Sequence, residues 1–126
     1  MTDSDLLLVD SSGWLEFITQ DTKAAAFSAF LEGPRQLLVP TIVLYEVFKK
    51  LMQMKGKTEA DRFASHALRQ FTVPLDEDTA IVAARLSLQH RLAMADAIIY
   101  ATALAHSAEL VTSDQAFSGL PSVTLL

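Results

Sequence analysis

Four acidic side chains stand where they could act together: Asp10, Glu46, Asp96 and Asp114. Asp10 directly follows the apolar run Leu6–Val9, and Asp114 follows Leu110–Thr112 within Thr112-Ser113-Asp114. Glu46 lies near the start of a helical segment after Leu37–Val39, and Asp96 opens the helical segment that feeds the Asp114 strand. Open parallel sheets bind ligands at the carboxyl ends of their strands, so residues just after strands are the first candidates for chemistry. Four clustered carboxylates raise one another's pKa values unless a cation sits between them. Oxygen-only donors suit Mg2+ or Mn2+, which keep several waters and lean on substrate phosphates. Zinc is disfavoured, because the chain has no cysteine and His66, His90 and His106 are scattered. Carboxylates around such a cation, with no nucleophilic triad, point to phosphoryl transfer with water as nucleophile.

Each acid also has a plainer reading. Asp10, Asp96 and Asp114 each suit a helix N-cap, which stabilises by about 1 kcal/mol. On a helical wheel Glu46 shares an arc with Lys49, Lys50 and Gln53, while Leu44, Val47, Phe48 and Leu51 face the other way. Glu46–Lys50 is a favourable i,i+4 pair, so periodicity alone turns Glu46 to solvent. Asp96 is harder to dismiss. Its helix is apolar nearly all round, with Ile99, Tyr100 and Ala103 on the same face, and such a helix is usually buried. A carboxylate there needs a partner or it protonates. No Lys or Arg lies within a turn after it, and Arg91 lies five residues before.

The elements that must position these acids alternate. Strands are expected at Leu6–Val9, Leu37–Val39, Phe71–Leu75 (weakly), Leu110–Thr112 and Val123–Leu126. Continuous apolar runs suggest strands covered on both faces. Helices are expected at Ser12–Thr19, Thr22–Leu31, Thr41–Met54, Glu59–Gln70, Glu77–His90 with Asp76 as its cap, and Asp96–Ala108. The pattern predicts an α/β domain with right-handed crossovers on a mostly parallel sheet. A helical hairpin around 41–70, broken at Gly56-Lys57, has no strand inside it and is expected to project from the sheet.

Composition sets the outer limits. A chain of 126 residues fits one domain, 1–126. An apolar fraction of 51% and a mean hydropathy of +0.29 exclude a disordered chain. The lack of cysteine suits a reducing cytoplasm. The opening Met-Thr-Asp-Ser-Asp does not read as a secretory signal, and no run approaches the roughly 18 apolar residues of a membrane helix. A net charge of −5 argues against nonspecific coating of nucleic acid. Yet Lys49, Lys50, Lys55, Lys57, Arg62 and Arg69 face only Glu59 and Asp61 between residues 49 and 69. A local basic stretch of this kind is what a polyanion-handling face needs, although a solvated helix face explains it too.

Four segments, taken in order, resemble the PIN-domain ribonucleases, and more narrowly the VapC-type toxins of toxin–antitoxin pairs. They are Leu8-Val9-Asp10-Ser11-Ser12, Val43-Leu44-Tyr45-Glu46-Val47, Ala95-Asp96-Ala97-Ile98-Ile99-Tyr100-Ala101-Thr102-Ala103, and Leu110-Val111-Thr112-Ser113-Asp114-Gln115-Ala116-Phe117. The order of the acids and their separations of 36, 50 and 18 residues carry the likeness more than any one segment. The resemblance implies a three-layer α/β/α domain with a parallel sheet. It also makes Asp10, Glu46, Asp96 and Asp114 the acidic metal-binding quartet, against the periodicity reading of Glu46. Ser11 or Ser12 matches a hydroxyl that follows the first acid, and Thr112 a polar residue that supports the last. Gln115 and Ser118 stand where some members carry a further acid or Asn.

The implied activity is endoribonuclease cleavage assisted by Mg2+ or Mn2+, leaving a 5′ phosphate and a 3′ hydroxyl and inhibiting translation. On this reading Lys49, Lys50, Lys55 and Lys57 hold the RNA backbone. The implied partners are a VapB-like antitoxin that blocks the acidic cleft and a second copy in a homodimer, with no membrane. A PIN-like module that only binds RNA or protein is the alternative. Two other α/β classes fit less well. A receiver domain wants an acidic pair after the first strand and a late Lys, and a haloacid-dehalogenase-like phosphatase wants Asp-x-Asp. This chain has Asp10-Ser11-Ser12 and no Lys beyond Lys57.

Overall fold

The computed structural model describes residues 5–126. The reading of the extreme N-terminus as carrying no signal segment falls largely outside that range. Strands β1 (Leu6–Val9), β2 (Gln36–Pro40), β3 (Phe71–Val73), β4 (Glu109–Thr112) and β5 (Val123–Leu125) form one sheet in the order β3-β2-β1-β4-β5. Every pairing is parallel. Six α-helices connect them among the described residues: α1 (Ser11–Ile18), α2 (Ala24–Leu31), α3 (Thr41–Met54), α4 (Lys57–Ala67), α5 (Glu77–His90) and α6 (Met94–Ala105). The expected α/β/α domain is therefore present. None of these helices is long and apolar enough to cross a membrane.

The central strands are apolar throughout because both faces are covered. Leu7, Leu8, Val9, Leu38, Val39, Leu110 and Val111 are all essentially inaccessible. Helix α3 contributes Val43, Val47 and Leu51, one residue per turn on a single stripe, to the same core. Helix α4 contributes Ala60, Phe63 and Ala67. Gly56, at φ +94°, makes the left-handed turn between the two helices. The hairpin does not stand off the body, since its inner faces are buried and Phe63 packs edge-on against Trp14 of α1. Gly13 lets α1 settle on the sheet. A Cβ at that position would meet Phe27 and Val9 carbons at 2.5 and 2.6 Å.

Topology creates a crevice. Strands β1, β2 and β3 are laid down in one direction, and the chain then returns to place β4 on the other side of β1. The order reverses between β1 and β4, and in open parallel sheets that reversal leaves a gap at the carboxyl ends of the strands. Asp10 and Thr112 occupy this gap.

Candidate active site at the sheet switch point

The register of β1 and β4 pairs Val9 with Val111, and the Asp10 amide donates to the Val111 carbonyl at 3.0 Å. Asp10 and Thr112 are therefore forced side by side at the strand ends. The Thr112 hydroxyl donates to Asp10 Oδ2 at 2.7 Å and accepts from the Asp114 amide at 3.0 Å. One buried hydroxyl thus ties the first acid to the loop that carries the last. Ser12 adds a weaker donation to the same Asp10 oxygen at 3.2 Å. Asp10 is only 4% exposed. Burial pushes its carboxyl above the ordinary range, the donations from Thr112, the Ser11 amide and Ser12 pull it back in part, and Asp114 adds a further push upward.

Asp10, Glu46, Asp96 and Asp114 line one cavity of about 480 Å3, together with Ser11, Ser12, Leu15, Tyr45, Lys49, Lys50 and Gln53. Glu46 is partly buried and accepts a hydrogen bond of 2.6 Å from the Ser11 hydroxyl. The wheel-based expectation that it points to plain solvent is corrected here. Periodicity sees one helix at a time, and α1 supplies the wall that encloses Glu46. Helix α6 starts at Met94 with Ala93 as N-cap, so Asp96 lies in the first turn and is not a cap. Asp10 holds the N-cap position of α1, but its side chain makes no capping bond. Asp114 does cap, accepting from the Ala116 amide at 2.9 Å. Its plain reading and its place in the cavity are both true.

The electrostatics of the cavity are unbalanced. None of the four acids is in an ion pair among the described residues. The Asp96 carboxyl is pushed up to about 6, first by burial and then by Asp10, Asp114 and Glu46. The donor set is all oxygen, gathered on one cavity, partly desolvated and with no ion-pair partner among the described residues, so in kind it fits a hard divalent ion. Among the described residues no three acidic or imidazole groups lie close enough together to hold an ion as they stand.

The basic residues divide. Lys49 and Lys50 line the cavity, whereas Lys55 and Lys57 do not. Lys57 is engaged by Asp61 one helical turn on. Tyr45 and Gln53 are wall residues that sequence reasoning did not single out as functional. The signal for Gln53 was its arc with Glu46, and for Tyr45 it was an aromatic ring beside an acid on a polar helix face.

A fold of this topology with acids at its switch point belongs to a known class. The PIN domain family model matches residues 7–122, and the chain belongs to that family. Solved structures share the fold. A chain of a toxin–antitoxin complex from Klebsiella pneumoniae superposes with a TM-score of 0.79 at 24% identity, covering 94% of this chain and 95% of that one. VapBC2 from Rickettsia felis, bound to a DNA fragment from its promoter, gives 0.74 at 16% identity over 96% and 97%. VapC20, a sarcin–ricin loop cleaving toxin of Mycobacterium tuberculosis, gives 0.70 at 20% identity over 90% and 91%. No curated protein sequence matches the chain significantly.

Proposed function

We propose that this chain is a divalent-metal-dependent endoribonuclease, the toxin of a type II toxin–antitoxin pair acting on cytoplasmic RNA and so inhibiting translation. The observation that carries the reading is the convergence of Asp10, Glu46, Asp96 and Asp114 on one cavity at the sheet switch point, with no cation paired to any of them among the described residues. Membership of the PIN family and the VapC-like fold support it. When bound, Mg2+ or Mn2+ supplies a coordinated water of lowered pKa and positive charge to set against the phosphate.

The chain's own residues have separable tasks. The four carboxylates are the groups that hold the metal. Thr112 and Ser12 fix the Asp10 carboxylate, and Ser11 fixes Glu46, so two of the acids are oriented before anything binds. Lys49 and Lys50 draw the RNA backbone toward an otherwise acidic wall. Attack by water leaves the 2′-hydroxyl unused, so the products carry a 5′ phosphate and a 3′ hydroxyl. The partners that go with this role are a VapB-like antitoxin covering the cavity and a second copy of the chain.

A denaturing gel of RNA incubated with antitoxin-free protein tests the reading. Cutting is expected with Mg2+ or Mn2+, none with EDTA, and none by Asp96→Asn. Products ending in a 2′,3′-cyclic phosphate, or cutting that survives both EDTA and Asp96→Asn, would sink it. A folded, metal-loaded protein that cuts no cellular RNA would favour the module that only binds.

A further inference from the structure

Tyr45 stands beside Glu46 on α3 and is 59% exposed, so its ring adds little to the core. It lines the acidic cavity and also a neighbouring apolar cavity of about 240 Å3, whose walls include Pro40, Ile42, Val73, Leu75 and Ile98. Lys49, one turn along, places its ammonium over the ring at 5.6 Å from the centroid and donates to the Tyr45 hydroxyl at 3.4 Å. The ring is thereby held at the border between a polar, lysine-rimmed cavity and an apolar one. A ribonucleotide has a similar division, with a charged backbone on one side and on the other a flat base whose faces, though not its edges, are apolar.

We propose that Tyr45 is a stacking platform for a base of single-stranded RNA, next to the phosphate held in the acidic cavity, with that base turned toward the apolar cavity. The proposal rests on the reading of the acidic cavity as the RNA-cleaving site, and gives that site a hold on bases in addition to phosphates. Stacking on an aromatic face tolerates any base, because every base has a π-face. Tyr45 therefore sets a requirement for unpaired RNA and not for sequence. Lys49 serves twice, steadying the ring and meeting the backbone.

The test uses the full native chain with Ca2+ in place of Mg2+, a hard cation that fills an all-oxygen site with looser geometry and so leaves the probe uncut, and measures fluorescence anisotropy. The probes are a short labelled oligoadenylate and an abasic ribose-phosphate chain of the same length. Tyr45→Ala is expected to weaken oligoadenylate binding roughly 5- to 150-fold and to leave abasic-chain binding unchanged. Tyr45→Phe is expected to keep the affinity, and Lys49→Ala to weaken both probes. Unchanged oligoadenylate binding by Tyr45→Ala, or an equal loss for both probes, overturns the proposal. So does a change in oligomeric state in place of a change in RNA binding, which would make this face an interface between copies. RNA cutting by the parent chain, run in parallel, separates the two levels. Metal-dependent cutting with Tyr45-independent binding removes the platform and leaves the nuclease. If the parent neither cuts RNA nor binds either probe, both fall.

Discussion

The two ends of β4 treat their carboxylates in opposite ways. At the amino end, Glu109 is partly buried, yet its oxygens are taken by Arg35 at 2.6 Å and by the Thr124 hydroxyl. Burial pushes its carboxyl up, but the Thr124 donation and the Arg35 guanidinium outweigh burial and leave it below the ordinary range. At the carboxyl end, Asp10, Glu46, Asp96 and Asp114 share a cavity with no paired cation among the described residues, and Asp96 is pushed up to about 6. Both ends belong to one strand four residues long. The fold can neutralise an acid on this strand, and it does so where the acid only ties β4 to β5 and to Arg35 just before β2. The unneutralised end is the one that costs stability, and such cost gathers at functional sites.

The largest effect expected from this contrast is on activity. Asp96→Asn should lower RNA cutting by about a thousandfold or more, the scale set by losing several kcal/mol of transition-state charge stabilisation. The same substitution should leave the metal-free fold intact or more stable at neutral pH, because it removes a repelled charge. Glu109→Gln should do the reverse, keeping the cutting rate and lowering the melting temperature. Equal losses of fold in both variants would erase the distinction between the two ends.

Thr112→Val comes next. Its hydroxyl is inaccessible and serves both Asp10 and the Asp114 amide. Leaving those groups unpaired should cost about 1–3 kcal/mol in denaturant unfolding. Loss of the fixed Asp10 orientation should reduce metal affinity or cutting about 10- to 100-fold.

The pH dependence of the metal-free protein sharpens the comparison through its sign. Asp96 has a raised folded pKa, so the folded state binds the extra proton. Its contribution is most favourable below its ordinary value of 3.8 and is lost as pH rises through about 6. Glu109 has a lowered folded pKa, so its contribution is present above its ordinary value of 4.5 and is lost as pH falls. Thermal melts of the two variants in EDTA should therefore depart from the parent on opposite sides. Asp96→Asn should gain on the parent above pH 6, and Glu109→Gln should lose to it at neutral pH. At pH 7, Mg2+ should raise the parent's melting temperature and leave Asp96→Asn nearly unmoved.

The smallest effect belongs to the rim. Lys49→Ala with Lys50→Ala should weaken single-stranded RNA binding and flatten its logarithmic salt dependence by roughly 0.7 for each phosphate no longer neutralised. Lys55→Ala with Lys57→Ala should change it less, since neither residue lines the cavity and Lys57 already has Asp61.

Much of this was legible in the chain. Asp76 caps α5, accepting from the Thr79 amide at 2.8 Å, and α3 and α5 begin and end where periodicity and caps put them. Leu6–Val9 reads as a strand and is one. The misplacements are local. Helix α6 begins two residues before Asp96, because Ala93 supplies the extended N-cap conformation that Asp96 was expected to supply. Lys57 opens α4 directly after Gly56, where a later start at Glu59 was expected.

The sequence by itself determined the alternation of strand and helix, the acids that follow strands, and the need of Asp96 for company. These follow from local causes: side-chain period, caps, and the cost of a carboxylate among apolar neighbours. Only the tertiary structure decided that β4 lies beside β1, which sets Thr112 against Asp10 across 102 residues. It also decided that Glu46 looks onto α1, where Ser11 meets it from 35 residues away. Strand order and helix packing are choices of the whole core. A residue's face along its own helix says nothing about which other element will be placed opposite it.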